Sequence, residues 1–130
     1  MKRTLWAAAV GLAASAAQAN PPLGDVAHVR EGLILAAMVD EITGNCPDLK
    51  VRVIRGLNFL QGLERHARDL GYSPAEIDAY IDDEVEEARL RAIGSGRLQA
   101  LGADPEDPAS YCTVGRAQMQ AGTELGRFLR

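Results

Sequence analysis

Lysine is nearly absent from this chain. Lys2 and Lys50 are the only two in 130 residues, and with the arginines they make 14 cations against 18 acids, a formal net charge of −4. Nucleic-acid binding draws on clustered cations that displace counterions from phosphates, so this composition speaks against it. Long apolar runs are also missing beyond Asn20; nothing there approaches the roughly 18 unbroken apolar residues that would suggest a membrane span. No stretch alternates polar and apolar residues as a half-buried strand does, and no repeat is visible. Cysteine is scarce, with only Cys46 and Cys112.

What the chain does have is a front that reads as an export signal. Lys2 and Arg3 form a charged start, Leu5 to Ala17 an apolar stretch, and Ala17-Gln18-Ala19 a small-x-small site for cleavage between Ala19 and Asn20. The expected organisation is a signal peptide over 1–19 and one helical domain over 20–130. Loss of Lys2 and Arg3 takes the formal charge from −4 to about −6. No cysteine stands at the cut to carry a lipid anchor. The expected location is therefore the periplasm, with a mature chain that lacks a transmembrane segment.

Four stretches carry helical periodicity. The first runs from about Asp25 to Thr43, with Val26, Val29, Leu33, Ala37 and Ile42 inward, Asp25 as N-cap and Gly44-Asn45 as stop. The second, from about Asp48 to Leu70, has the strongest stripe: Leu49, Val53, Leu57, Leu60, Leu63, Ala67 and Leu70. Ser73-Pro74-Ala75-Glu76 is a capping box with proline at the first helical position, so a third helix starts at Pro74. It continues through Ile77, Ile81, Val85, Ala88 and Ala92 to about Leu101, with a kink or interruption expected at Gly94-Ser95-Gly96. Asp107 caps a last helix over about 108–129, with Val114, Ala117, Ala121, Leu125 and Phe128 inward. Short connections between amphipathic helices predict an all-α, compact four-helix bundle-like domain. Small residues at Gly56, Gly62, Gly115, Gly122 and Gly126 are expected to let helices approach closely, the alternative being slack where a partner helix could enter.

Export makes a disulfide between Cys46 and Cys112 the simplest reading of the two cysteines. It would tie the first interhelix connection to the start of the last helix, and closing so long a loop is worth roughly 4 kcal/mol in the chain-entropy model. A redox-active pair normally sits close together, as in C-x-x-C, and a zinc site needs paired short spacings. Neither pattern is present.

The remaining polar residues mark no chemistry. The acidic run Asp82 to Glu87 reads as a solvated face near a helix start, with Glu87 and Arg91 spaced for an i,i+4 pair. His28 and His66, on separate predicted helices, each lack a second ligand at i+4. Arg52, Arg55, Arg65 and Arg68 give the second helix a basic side suited to an acidic partner or simply to solvent. Tyr72, Tyr80 and Tyr111 are placed for packed rings with hydroxyls reaching water, Tyr111 beside the bridge. No catalytic residue, metal ligand or cofactor-binding residue is assigned.

The leader Pro21-Pro22-Leu23 with Asp25-Val26, the pair Asn45-Cys46, Leu70 to Ser73 followed by Glu76-Ile77, and Asp107 to Cys112 followed by Gly115-Arg116-Ala117 resemble a family of small exported bacterial proteins classed as a domain of unknown function. The resemblance spans nearly all of the chain after Asn20. It implies an all-helical exported protein with paired cysteines and no assigned reaction. The expected role is non-enzymatic: binding another protein or an envelope component, with lipid or small-ligand carriage and periplasmic stress chaperoning as alternatives.

Overall fold

The computed structural model describes residues 20–130; the expected signal peptide Met1 to Ala19, with its cleavage at Ala19, lies outside the described residues. After one 3₁₀ turn, Leu23–Asp25, six helices follow: α1 Ala27–Asn45, α2 Val53–Asp69, α3 Pro74–Ile81, α4 Glu84–Ala100, α5 Pro108–Ala121 and α6 Glu124–Arg127. The all-helical fold expected from periodicity is observed, as four long helices and two short ones. Only isolated bridges interrupt the helical pattern among the described residues.

Helix α1 is the central element, packed against α2, α4, α5, α6 and the 3₁₀ turn. Its buried residues Val29, Ile34, Met38, Val39 and Ile42 are spread around the helix instead of forming one narrow stripe, so it buries several sides at once. Ile34, Ile42, Cys46, Leu98, Tyr111 and Leu129 are the largest fully buried side chains. A smaller cluster of Leu23, Val29, Ala67, Tyr72 and Ile77 anchors the leader, where the Tyr72 hydroxyl donates to the Pro21 carbonyl. The disulfide between Cys46 and Cys112 is present, 66 positions apart in sequence with Cα atoms 5.2 Å apart. It joins the C-cap of α1 to the second turn of α5.

Several boundaries differ from the sequence reading, each for a local reason. Asp25 does not cap α1: it ends the 3₁₀ turn, and Val26 occupies the N-cap position without a side-chain bond. Residues 49–52 are extended rather than helical, because they pair with the chain end. Lys50 and Arg130 exchange backbone bonds of 2.9 Å, the Arg52 amide donates to the Phe128 carbonyl at 2.7 Å, and the Arg52 guanidinium donates to the Leu129 carbonyl at 2.9 Å.

The third predicted helix is two helices, and its break falls at Asp82-Asp83, not at the glycines. The Asp83 carboxylate accepts from the amides of Val85 and Glu86, both at 3.0 Å. This N-cap competes with helix continuation and starts α4 afresh. Helix α4 runs unbroken through Gly94-Ser95-Gly96. A Cβ on Gly94 would stand 3.2 Å from Met38 Cγ and 3.4 Å from the Ile34 carbonyl oxygen, so this glycine lets α4 cross α1 closely. The capping box at Ser73 and Glu76 forms in both directions.

The last predicted helix is also divided. Gly122 takes a left-handed conformation, φ +65°, which suits glycine, and Thr123 caps α6 by accepting from the Gly126 amide at 3.1 Å. Val114, Leu125 and Phe128 are buried as expected, whereas Ala117 and Ala121 are exposed. Asp107 makes no side-chain cap. Instead the Ser110 hydroxyl donates to the Asp107 carbonyl at 2.6 Å and accepts from the Asp104 amide at 2.7 Å, closing the connector.

Candidate functional site

Helix α2 carries the strongest apolar stripe in the sequence, yet only its C-terminal half is covered. Leu63 and Ala67 are buried against α1, and Leu63 fills the space opposite Gly32. Val53, Leu57 and Leu60 remain 55%, 50% and 41% exposed, with Ile54 beside them. These three lie at i, i+4 and i+7 and so form one ridge. Phe59 turns inward and meets Phe128 edge-to-face, with ring centroids 5.0 Å apart.

Beside the ridge runs an apolar trough. One end, a cavity of about 190 Å³, is bounded by Leu35, Val39 and Thr43 of α1, by Gly56, Phe59 and Leu60 of α2, and by Val51 and Phe128. The next, about 330 Å³, is formed by Leu33, Ala36 and Ala37 of α1 with Leu60, Ile81 and Leu90 around it. Ala36, Asp40 and Leu60 belong to both, so the two cavities are adjacent. Helix α1 is the floor, α2 one wall and the α3–α4 corner the other, where Ile81 is 61% exposed. The alanines leave the floor low and the trough open.

The far rim is acidic. Arg91 bonds Asp40 at 2.8 Å and Glu87 at 3.0 Å, leaving two carboxylates to one cation, and Glu84 follows one turn earlier on α4. Glu86 bonds Arg89 at 2.6 Å, which holds its carboxyl below the usual range. Glu86 also accepts from the Tyr80 hydroxyl at 3.1 Å. Burial, followed by the Glu86 charge, pushes the Tyr80 phenol up to about 12. The acidic run thus supplies a cap and ion pairs. Among the described residues, no three His, Cys, Asp or Glu side chains form a metal-ligating group.

The Tyr80 geometry gives a pH dependence with a defined sign. A folded-state value raised above the ordinary 10 means the unfolded chain releases this proton first. The contribution is intact below pH 10 and is lost as pH rises through about 12. Denaturant midpoints measured over this interval are expected to fall less steeply in Tyr80→Phe than in the parent protein. Equal slopes would contradict the assignment.

The other two tyrosines also have hydroxyls bonded within the protein, Tyr72 to the Pro21 carbonyl and Tyr111 to Glu41. Tyr111 is buried beside Cys112, and its hydroxyl donates to Glu41 at 2.9 Å; burial, then this bond, raises its pKa. Ser95 donates to the same carboxylate oxygen at 3.0 Å, so Glu41 links α1, α4 and α5. The two imidazoles, 38 positions apart in sequence, are brought together. His28 on α1 and His66 on α2 meet edge-to-face with centroids 4.6 Å apart and planes at 67°. Arg97 holds Glu31 nearby through a 2.6 Å ion pair, and this pair lowers the Glu31 pKa.

Of the four arginines expected on the second helix, Arg52 falls in the extended segment ahead of α2 and is tied to the chain end, and Arg68 lies 3.5 Å from Glu64. Arg55 and Arg65 are exposed. Of the five glycines expected at close helix contacts, Gly115 and Gly126 fulfil that role, whereas a Cβ on Gly56 or Gly62 would meet no atom closer than 3.7 Å. Gly122 serves the turn. Gly32 and Gly94 were the close contacts missing from the sequence reading.

The model of one family, a family of unknown function designated DUF5333, matches residues 21–130. The chain belongs to this family. No curated protein and no solved structure matches it. The DUF5333 match begins at the leader and takes in both cysteines, both walls of the trough and the chain end that pairs with Lys50.

Proposed function

We propose that this DUF5333 protein is exported to the periplasm and acts there by binding another protein or an envelope component, without catalysing a reaction. The observation that carries this reading is the uncovered half of α2 beside the trough on α1. A helix whose sequence is written to be buried stands with Val53, Leu57 and Leu60 in solvent, and contiguous exposed apolar surface of this kind is characteristic of interaction sites. The disulfide fits an oxidising compartment, and no helix among the described residues is long and apolar enough to cross a membrane. The polar groups that would be candidates for catalysis are occupied in structural roles: the tyrosine hydroxyls in hydrogen bonds and the imidazoles against each other.

A photocrosslinking amino acid placed at Leu57 in cells is expected to give a discrete adduct, absent when the same group is placed at Thr113 on the exposed side of α5. No adduct at Leu57 beyond those at Thr113 would overturn the reading. The apolar lining also favours a second reading, carriage of a small apolar ligand, since its larger cavity of about 330 Å³ reaches the lower end of ordinary ligand sites, roughly 300–1,000 Å³. Native mass spectrometry of protein from its own host would then show retained mass.

A further inference from the structure

This inference rests on the reading of the trough as a binding surface and names its occupant. We propose that a second copy of the chain, related by a two-fold axis, covers the trough with its own α2. The ridge Val53, Leu57, Leu60 and the trough floored by Leu33, Ala36 and Ala37 lie side by side on one face of the molecule. A convex apolar element next to a concave one is self-complementary under a two-fold rotation: each α2 enters the other's trough, and the same patch serves both partners.

Charge follows the same pattern. On the trough side, Asp40 and Glu87 both bond the cation Arg91, leaving one carboxylate uncompensated. On α2, positions 54, 61, 65 and 68 share one edge by helical spacing, and that edge carries Arg65 and Arg68. Seating one copy's α2 in the other's trough brings Arg65, and Arg68 with its Glu64 partner, toward an acidic rim twice over.

The area is also appropriate. At roughly 100 Å² for a fully exposed aliphatic side chain, covering Val53, Ile54, Leu57, Leu60 and Ile81 removes on the order of 300 Å² from water. That is an apolar centre suited to a standard interface of about 800 Å² per partner, with a polar rim supplying the remainder.

The test is sedimentation velocity and light scattering on the oxidised protein at roughly 1 to 100 µM, a range that brackets a moderate interface. The expected result is a dimer. Leu57→Asp and Leu60→Asp are expected to give monomers with unchanged circular dichroism and a melting temperature that no longer rises with protein concentration. The double change Arg65→Glu with Arg68→Glu is expected to weaken association about 10-fold or more. A parent protein that stays monomeric across the range, or a dimer that survives Leu57→Asp and Leu60→Asp, overturns the proposal. The Leu57 photocrosslinker separates the two readings: a monomer that crosslinks a foreign protein there overturns the second copy alone, and one that crosslinks nothing there overturns both.

Discussion

Replacing Cys46 and Cys112 together by alanine is expected to lower the unfolding free energy by about 4 kcal/mol and the melting temperature by roughly 15 °C. The two half-cystines are 66 positions apart, so the bridge confines a long segment of the unfolded chain, and most of its contribution acts there. The native side is favourable as well. Cys46 is fully enclosed and Cys112 is buried beside Tyr111, whose hydroxyl is tied to Glu41 on α1; α1 and α5 therefore stay apposed through packing that does not depend on sulfur. The double variant should consequently fold, but at reduced stability. Urea denaturation of parent, variant and reduced parent is the measurement, with the last two expected to coincide. A loss below about 1 kcal/mol would mean that the loop is already confined in the unfolded state.

Gly126→Ala is expected to cost about 3 kcal/mol or more, while Gly96→Ala is expected to stabilise by up to about 1 kcal/mol. The two changes add the same methyl group. At Gly126 it would meet the Gln118 carbonyl and lie 2.6 Å from the Met119 amide nitrogen, and backbone cannot rotate out of the way as a side chain does. Relief requires α6 to lift from α5, which disturbs Leu125 and Phe128 in the core. At Gly96 nothing lies within 4 Å, so alanine there only improves helix propensity in α4. Thermal melts of the two variants check the contrast. Equal effects would show that the α5–α6 contact is not as close as described.

Local chemistry was the part of this fold that the sequence made readable. The Ser73-x-x-Glu76 box involves residues three positions apart, and both of its bonds form, at 2.7 and 3.1 Å. The cysteines could be paired because only one partner was available. The break at Asp82-Asp83 was obscured by a longer signal: Ile77, Ile81 and Val85 continue a helical spacing, although Ile81 and Val85 are both exposed. The local clue was a short acidic side chain preceding Glu84, Glu86 and Glu87, which is the pattern of a fresh helix start.

The trough was legible only by half. Periodicity showed that Val53, Leu57 and Leu60 share a face with Leu63 and Ala67, but periodicity says nothing about how far the covering helix extends. That depends on where α1 ends at Cys46 and on the pairing of Lys50 with Arg130, a contact between distant parts of the chain. The meeting of His28 with His66 was hidden for the same reason, since each lies on a different helix and neither has a local partner.

The bridge also determines what a protease can accomplish. Helices α2, α3 and α4, with the connections at 70–73, 82–83 and 101–107, all fall between the two half-cystines. A single cut in any of those connections leaves both fragments joined, so the nicked molecule travels as one species until a reductant separates it. A cut there is therefore silent on a non-reducing gel and shows on a reducing one, whereas fragments on a non-reducing gel mark molecules that have lost the sulfur bond as well.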